Sequence, residues 1–293
     1  MGCKAARLHS MELQPPPCPL NVLSETPLPD DLNWVPFRPG MHACWLYRVP
    51  NGPSAALLKY EERALGPKHR HTGYEHVLCI LGLQCDERGD LPKGSLVINP
   101  PGSDHCCLSS PTGCVVLAIY EKPVDFSPWE NGDGSDVLPN EPSFPQPITI
   151  PSKWITFDKY VHPKFELFNL AEDDVMPWTS LSSGLSVTSL YGTESTTLSD
   201  MPSPAAFLAR IEPTCVFTIL NGIGYLHILC LQGELSVDGT SLGKGALYWR
   251  APAGEVSQTM ISSLPSEEAV DYALVLILLQ QTSTTVLEGS RAP

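Results

Sequence analysis

The stretch PKHRHTGYEHVLCILG, Pro67 to Gly82, packs three of the chain's eight histidines and a glutamate just ahead of the apolar run Val77–Leu81. Side chains alternate along a strand, so His69 and His71, two residues apart, share a face. After a Thr72-Gly73 kink, Glu75 keeps the same parity, which lets its carboxylate join the two imidazoles. Continued alternation predicts Val77, Cys79 and Leu81 on that inward face. His76 has the opposite parity and is expected to pack or to sit at the surface, not to act as a ligand.

A second stretch, GSLVINPPGSDH from Gly94 to His105, reads as a turn, a short apolar strand, a Pro-Pro-Gly turn and a histidine opening a new strand. In a small barrel that histidine can face inward across from the first hairpin. A lone histidine on a hairpin is ordinarily polar surface; His69, His71, Glu75 and His105 together form a donor set. Three neutral imidazoles and a carboxylate suit one divalent first-row metal, with Fe2+ expected for an enzyme and Zn2+, Mn2+, Ni2+ or Cu2+ as alternatives. Such a set leaves coordination positions for water or substrate. Around these residues, apolar runs of strand length (HVLCIL, SLVI, CVVLAIY) are separated by turn clusters (DERGD, NPPGSD, SSPTG), the rhythm of an antiparallel barrel. No convincing amphipathic helix interrupts them, so an all-β chain is expected.

The unit is used twice. WVPFRPGMHACWLY (34–47) aligns without a gap with WTSLSSGLSVTSLY (178–191), SAALLKY (54–60) with PAAFLAR (204–210), and GYEHVLCILG (73–82) with GYLHILCLQG (224–233). The same order of three matches implies tandem domains. The Pro-, Gly- and Asp-rich segment between them reads as a connector. The expected division is an N-terminal tail at 1–28, a metal-binding barrel at 29–125, a linker at 126–152, a second barrel at 153–285 and a C-terminal tail at 286–293. The aromatic-rich KWITFDKYVHPKFELFNL is assigned to the second barrel. That copy has Leu226 at the Glu75 position, no histidine in Ile219–Gly222, and Ser257 at the His105 position. It is expected to keep the scaffold, bind no metal and pack against its sister.

Bulk composition narrows the partners. With 293 residues, 42% hydrophobic and 17% charged, the chain is an ordinary globular protein of two-domain size, and 30 prolines with 22 glycines favour short strands. A formal charge of −14 offers no basic face for nucleic acid or an anionic membrane. No apolar run is long enough to span a bilayer. None of the ten cysteines sits in a C-x-x-C pair, and no apolar signal sequence opens the chain, so a reducing, cytoplasmic setting is expected. Cys79 and Cys107 share the inward parity; small apolar core residues are the simpler reading. The expected partner is a small-molecule substrate, with a homodimer left open.

The spacing His69-x-His71, Glu75, Gly82, followed by Gly94, Pro100-x-Gly102 and His105, resembles the two motifs of the cupin superfamily, and the leading tryptophan with PKHRHTGYEHVLCILG is similar to the ChrR-like cupins. Two points depart from the pattern: Arg63 stands at the opening glycine and Ser109 at an asparagine. The resemblance implies two tandem jelly-roll β-barrels, a bicupin with a degenerate second domain, and His69, His71, Glu75 and His105 as metal ligands. It implies a dioxygenase-like oxidoreductase acting on a small ketone or hydroxyaromatic, with Glu75 as ligand or base. Alternatives within the resemblance are a non-catalytic metal-dependent sensor or regulator, and a cupin isomerase or hydrolase. Residues 1–28 are too short and proline-rich for the helical zinc-binding domain that the anti-sigma relatives carry, so that role is not expected.

Overall fold

The computed structural model describes residues 18–23, 28, 31–86, 89–105, 108–126, 164–166, 178–191, 205–213, 215–221, 224–252, 257–264, 272–280 and 286–291. The expected linker lies outside the described residues except for Phe126, and so does Cys107. The described residues contain strands and turns and no α-helix. The first ten strands are β1 (Leu20–Asn21), β2 (Val35–Arg38), β3 (Met41–Arg48), β4 (Ser54–Tyr60), β5 (His69–Arg70), β6 (Glu75–Asp86), β7 (Gly89–Pro92), β8 (Ser95–Asn99), β9 (Asp104–His105) and β10 (Cys114–Tyr120). Next come β11 (Lys164–Glu166), β12 (Thr179–Ser182), β13 (Leu185–Tyr191), β14 (Ala205–Ile211), β15 (Cys215–Asn221) and β16 (Tyr225–Gln232). The last are β17 (Glu234–Val237), β18 (Thr240–Leu242), β19 (Ala246–Arg250), β20 (Ser257–Leu264), β21 (Ala273–Gln280) and β22 (Val286–Arg291).

Two large antiparallel sheets dominate. One runs β11-β8-β6-β10-β4-β3-β2, with β7 on β6; the other runs β1-β19-β16-β21-β14-β13-β12. A five-stranded sheet β18-β17-β20-β15-β22 closes the second barrel, and the pair β5-β9 carries two of the predicted ligands.

The central strands are apolar on both faces because both faces are covered. In β10, Val115, Leu117 and Ile119 point into a core shared with Leu229, Leu274 and Leu276 of the second large sheet, while Val116 and Ala118 point into the first barrel. In β21 the alternation is the same: Leu274, Leu276 and Leu278 face the shared core, and Val275 and Ile277 face Phe207 and Phe217 inside the second barrel. Each fully buried Leu or Ile contributes about 1.5–3 kcal/mol relative to exposure, so the shared core binds the two barrels firmly. The expected packing of one barrel on the other is therefore present.

Each large sheet also borrows an edge strand from outside its own barrel. β1, from the segment expected as a tail, pairs with β19 through Leu20 and Leu247, and Leu20, Val22 and Leu23 are buried in the shared core. β11, assigned from sequence to the second barrel, pairs instead with β8, Phe165 opposite Leu96. Since β8 and β19 border the duplicated strands β6 and β16, the two exchanges are equivalent by the internal duplication.

The duplication extends to irregularities. β6 bulges against β10 between Cys79 and Leu81, and β16 bulges against β21 between Cys230 and Gln232. Both bulges end in a glycine with left-handed φ, Gly82 (+75°) and Gly233 (+73°). The bulge corrects one expectation: Val77 and Cys79 face the barrel interior, but Leu81 is 53% exposed. An extra residue breaks the two-residue period there.

Candidate metal centre

The short pair β5-β9 sets His69 directly opposite His105. His71 follows β5 and is tied to the Pro-Pro-Gly turn by backbone hydrogen bonds, its N–H donating to Ser103 O (2.8 Å) and its carbonyl accepting from Gly102 N (2.8 Å). Glu75 opens β6, between Asn99 of β8 and Tyr120 of β10. The two sequence motifs thus meet edge to edge. One ligand atom from each of His69, His71, Glu75 and His105 lies within 4.8 Å of the others, and all four side chains are buried. Ring centroids are 4.4 Å apart for His69 and His105, 4.9 Å for His71 and His105, and 5.0 Å for His69 and His71.

The outer nitrogens determine what the inner ones offer. His69 Nδ1 is 2.9 Å from Pro67 O, a carbonyl that can only accept, so Nδ1 carries the proton. His71 Nδ1 faces Ser103 Oγ at 2.9 Å and Ser103 O at 3.1 Å; because the hydroxyl itself donates to Pro100 O, His71 must donate here too. His105 Nδ1 is turned towards the buried Asp86 carboxylate, 3.7 Å away. In neutral rings the His69 and His71 tautomers leave their Nε2 lone pairs pointing inward. His69 Nε2 and His105 Nε2 are 2.9 Å apart. His71 Nε2 is a buried nitrogen 2.7 Å from Glu75 Oε2. Lone pairs that converge on one another and on a carboxylate require a proton or a cation among them, and this donor set fits a divalent transition metal.

Glu75 is held from behind. Asn99 Nδ2 donates to Glu75 Oε2 at 2.6 Å, with both residues buried. Burial by itself raises the Glu75 carboxyl, but the imidazoles of His71, His69 and His105 outweigh it and keep the group well below the usual carboxylate range. Tyr120 is raised well above an ordinary phenol by burial and by the Glu75 carboxylate beside it, and Tyr60 is raised mainly by burial. Both remain neutral hydrogen-bond donors at physiological pH.

A cavity of about 690 Å³ reaches the cluster through His69, with Tyr60, Tyr120, Trp45, Leu58 and Phe126 among its lining. Tyr60 and Tyr120 lie outside the two sequence motifs, and Asn99 lies inside the second at a position that its spacing leaves open. The parity of Asn99 on β8, opposite Glu75, is the signal that could have found it.

The remaining candidates behave as packing. His76 is buried in the interface between barrels and outside the cluster; its counterpart His227 is also buried there, 2.9 Å from Tyr47 Oη. Burial drives the Cys79 thiol up to about 12, the behaviour of a core residue and not of a reactive thiolate. In the second barrel the Glu75 position is the fully buried Leu226, and Ile219, in the stretch matching the His-x-His pair, packs in the same core. Among the described residues, the cluster in the first barrel is the one group with metal-holding geometry.

Residues 26–125 match the family model of the ChrR Cupin-like domain. The first barrel is a ChrR-like cupin. No curated protein matches the sequence. Among solved structures, a proposed dioxygenase from Nostoc punctiforme aligns with a TM-score of 0.51 at 14% identity, covering 86% of this chain and 78% of that one. A Cupin 2 conserved barrel domain protein from Leptotrichia buccalis aligns at 0.49 and 10% identity, covering 84% and 92%. Bacillus subtilis oxalate decarboxylase aligns at 0.43 and 14% identity, covering 87% and 76%. At such identities the first of these speaks for the fold alone, and it does so across both barrels. The chain is thus a pair of cupin barrels of which the first carries the candidate metal centre. Arg63, where the cupin pattern has glycine, adopts φ +62°, so the backbone keeps the glycine conformation under a different side chain.

Proposed function

We propose that the first cupin is the catalytic unit of a metal-dependent oxygenase of dioxygenase type, acting on a small ketone or hydroxyaromatic. The observation that carries this reading is the inward convergence of His69, His71, Glu75 and His105 at the end of a cavity of ligand size. His69, His71 and His105 hold the ion, and Glu75 is its fourth ligand or the base for a substrate proton. When bound, a divalent metal supplies Lewis acidity and, if it is iron, oxygen activation.

The chain's own groups do the rest. Glu75, ionised and oriented by Asn99, would accept the proton of an enolisable ketone or a phenol. Tyr60 and Tyr120, kept neutral, line the cavity, where Trp45, Leu58 and Phe126 would exclude water. With domain limits of 29–125 for the first cupin and 153–285 for the second, the second serves as a scaffold that covers the outer face of the first. A cytoplasmic setting accords with the seven described cysteines, all free. Among the described residues no helix is long and apolar enough to cross a membrane.

Oxygen uptake by untagged, iron-loaded protein against a panel of β-diketones, simple ketones and phenols tests the reading. Consumption with at least one class, lost in His69→Ala and reduced at least about 100-fold in Glu75→Gln, is the expected result. Oxygen consumption by none of them, with the metal bound and the panel compounds still binding, would favour the non-catalytic sensor instead.

A further inference from the structure

The cavity reverses the charge of the molecule around it. A chain with a formal charge of −14 presents a field that repels anions. Yet among the described residues no aspartate or glutamate lines the cavity, whereas Arg38 and Arg48 both do. Each guanidinium rests on an aromatic face, Arg38 Cζ 4.5 Å from the centroid of Phe126 and Arg48 Cζ 4.9 Å from that of Trp45. Among the described residues neither is ion-paired with a carboxylate, although Arg63 and Arg250 are. Stacking occupies the flat face of a guanidinium and leaves its in-plane N–H fork free for a planar anion. Phe126 also lies 5.5 Å from the His69 ring, centroid to centroid, so a single aromatic ring separates the Arg38 cation from the ligand cluster. Met41, Leu58 and Leu108 complete apolar walls.

We infer that the cavity takes an organic acid, its apolar or aromatic body against these walls and its carboxylate clamped by Arg38 with Arg48 assisting. This narrows the substrate class of the proposed reaction to members that bear a carboxylate, and it rests on the cavity being the substrate site. The arginines offset the repulsion of the acidic surface at the one place where an anion is to be admitted.

The test compares 2-naphthoate with its uncharged isostere 2-naphthamide, by calorimetry and tryptophan fluorescence, on the full chain after chelator treatment. The acid is expected to bind tighter by about tenfold or more, as a charge-assisted fork predicts. The preference should shrink as salt rises, fall to about twofold or less in Arg38→Gln, and survive in part in Arg38→Lys. Equal binding of acid and amide, no saturable binding of the acid, or an undiminished preference in the Arg38→Gln/Arg48→Gln double variant overturns the inference. Should a Gln variant fail to fold, the salt dependence of the unmodified chain decides the question. Because the metal is absent throughout, acid binding by a protein that never takes up metal refutes the metal reading alone. Turnover of neutral ketones without any acid preference refutes only the carboxylate clamp.

Discussion

Asn99 fixes the Glu75 carboxylate with one 2.6 Å hydrogen bond, and the pair is fully enclosed. Groups that orient a ligand in this way typically contribute about 10–100-fold to metal affinity, so Asn99→Ala is expected to weaken metal binding by that factor, measured by competition with a chromophoric chelator. Arg63 makes the opposite case. A non-glycine residue at φ +62° costs about 1 kcal/mol, and its side chain is exposed and pairs with the neighbouring Glu62. Arg63→Gly should therefore raise stability by up to about 1 kcal/mol in urea unfolding, less the extra freedom glycine gives the unfolded chain. His69, His71 and Glu75 were legible in the sequence because they fall in one short stretch with matched parity. His105 was legible through a second spacing. Asn99 was not, because its partner Glu75 lies 24 residues away and only the β6-β8 register unites them.

At the scale of elements, the bulge at the end of the duplicated strand is the device that turns β6 away from the barrel. Gly82 closes it at φ +75°, where an added Cβ would collide with the Gly113 carbonyl oxygen. The neighbour is backbone and cannot swing aside, so Gly82→Ala is expected to cost about 2–4 kcal/mol in equilibrium unfolding. Strand rhythm was readable from the apolar runs and turn clusters, and the duplication from three aligned segments. The bulge and the edge exchanges of β1 and β11 were not. Alternation assigns faces within a strand but carries no information about which sheet edge a two- or three-residue strand will join.

At the scale of the whole molecule, the two cupins share an apolar interface in which His227 is enclosed. Burial, the nearby His76 and a backbone hydrogen bond together leave its pKa near 3, against 6.5 for an exposed histidine. The folded protein resists a proton that the unfolded chain accepts, so stability is undiminished above about pH 6.5 and declines as pH falls from there towards 3. In chelator-treated protein, His227→Gln should flatten that decline in the thermal midpoint between pH 6.5 and 4, whereas an unchanged slope would place the acid sensitivity elsewhere. One barrel's loss of ligands with its scaffold intact was legible in Leu226 and Ser257; the fact that it shields its sister's outer face emerged from the packing of the two large sheets. Metal content tests the candidate centre most directly. Mass-spectrometric elemental analysis of untagged protein is predicted to find close to one divalent transition metal per chain, and almost none in a His69→Ala/His105→Ala variant that folds. Protein purified and then offered iron, manganese, nickel, copper and zinc that retains none of them, or a double variant that retains the full amount, would contradict it.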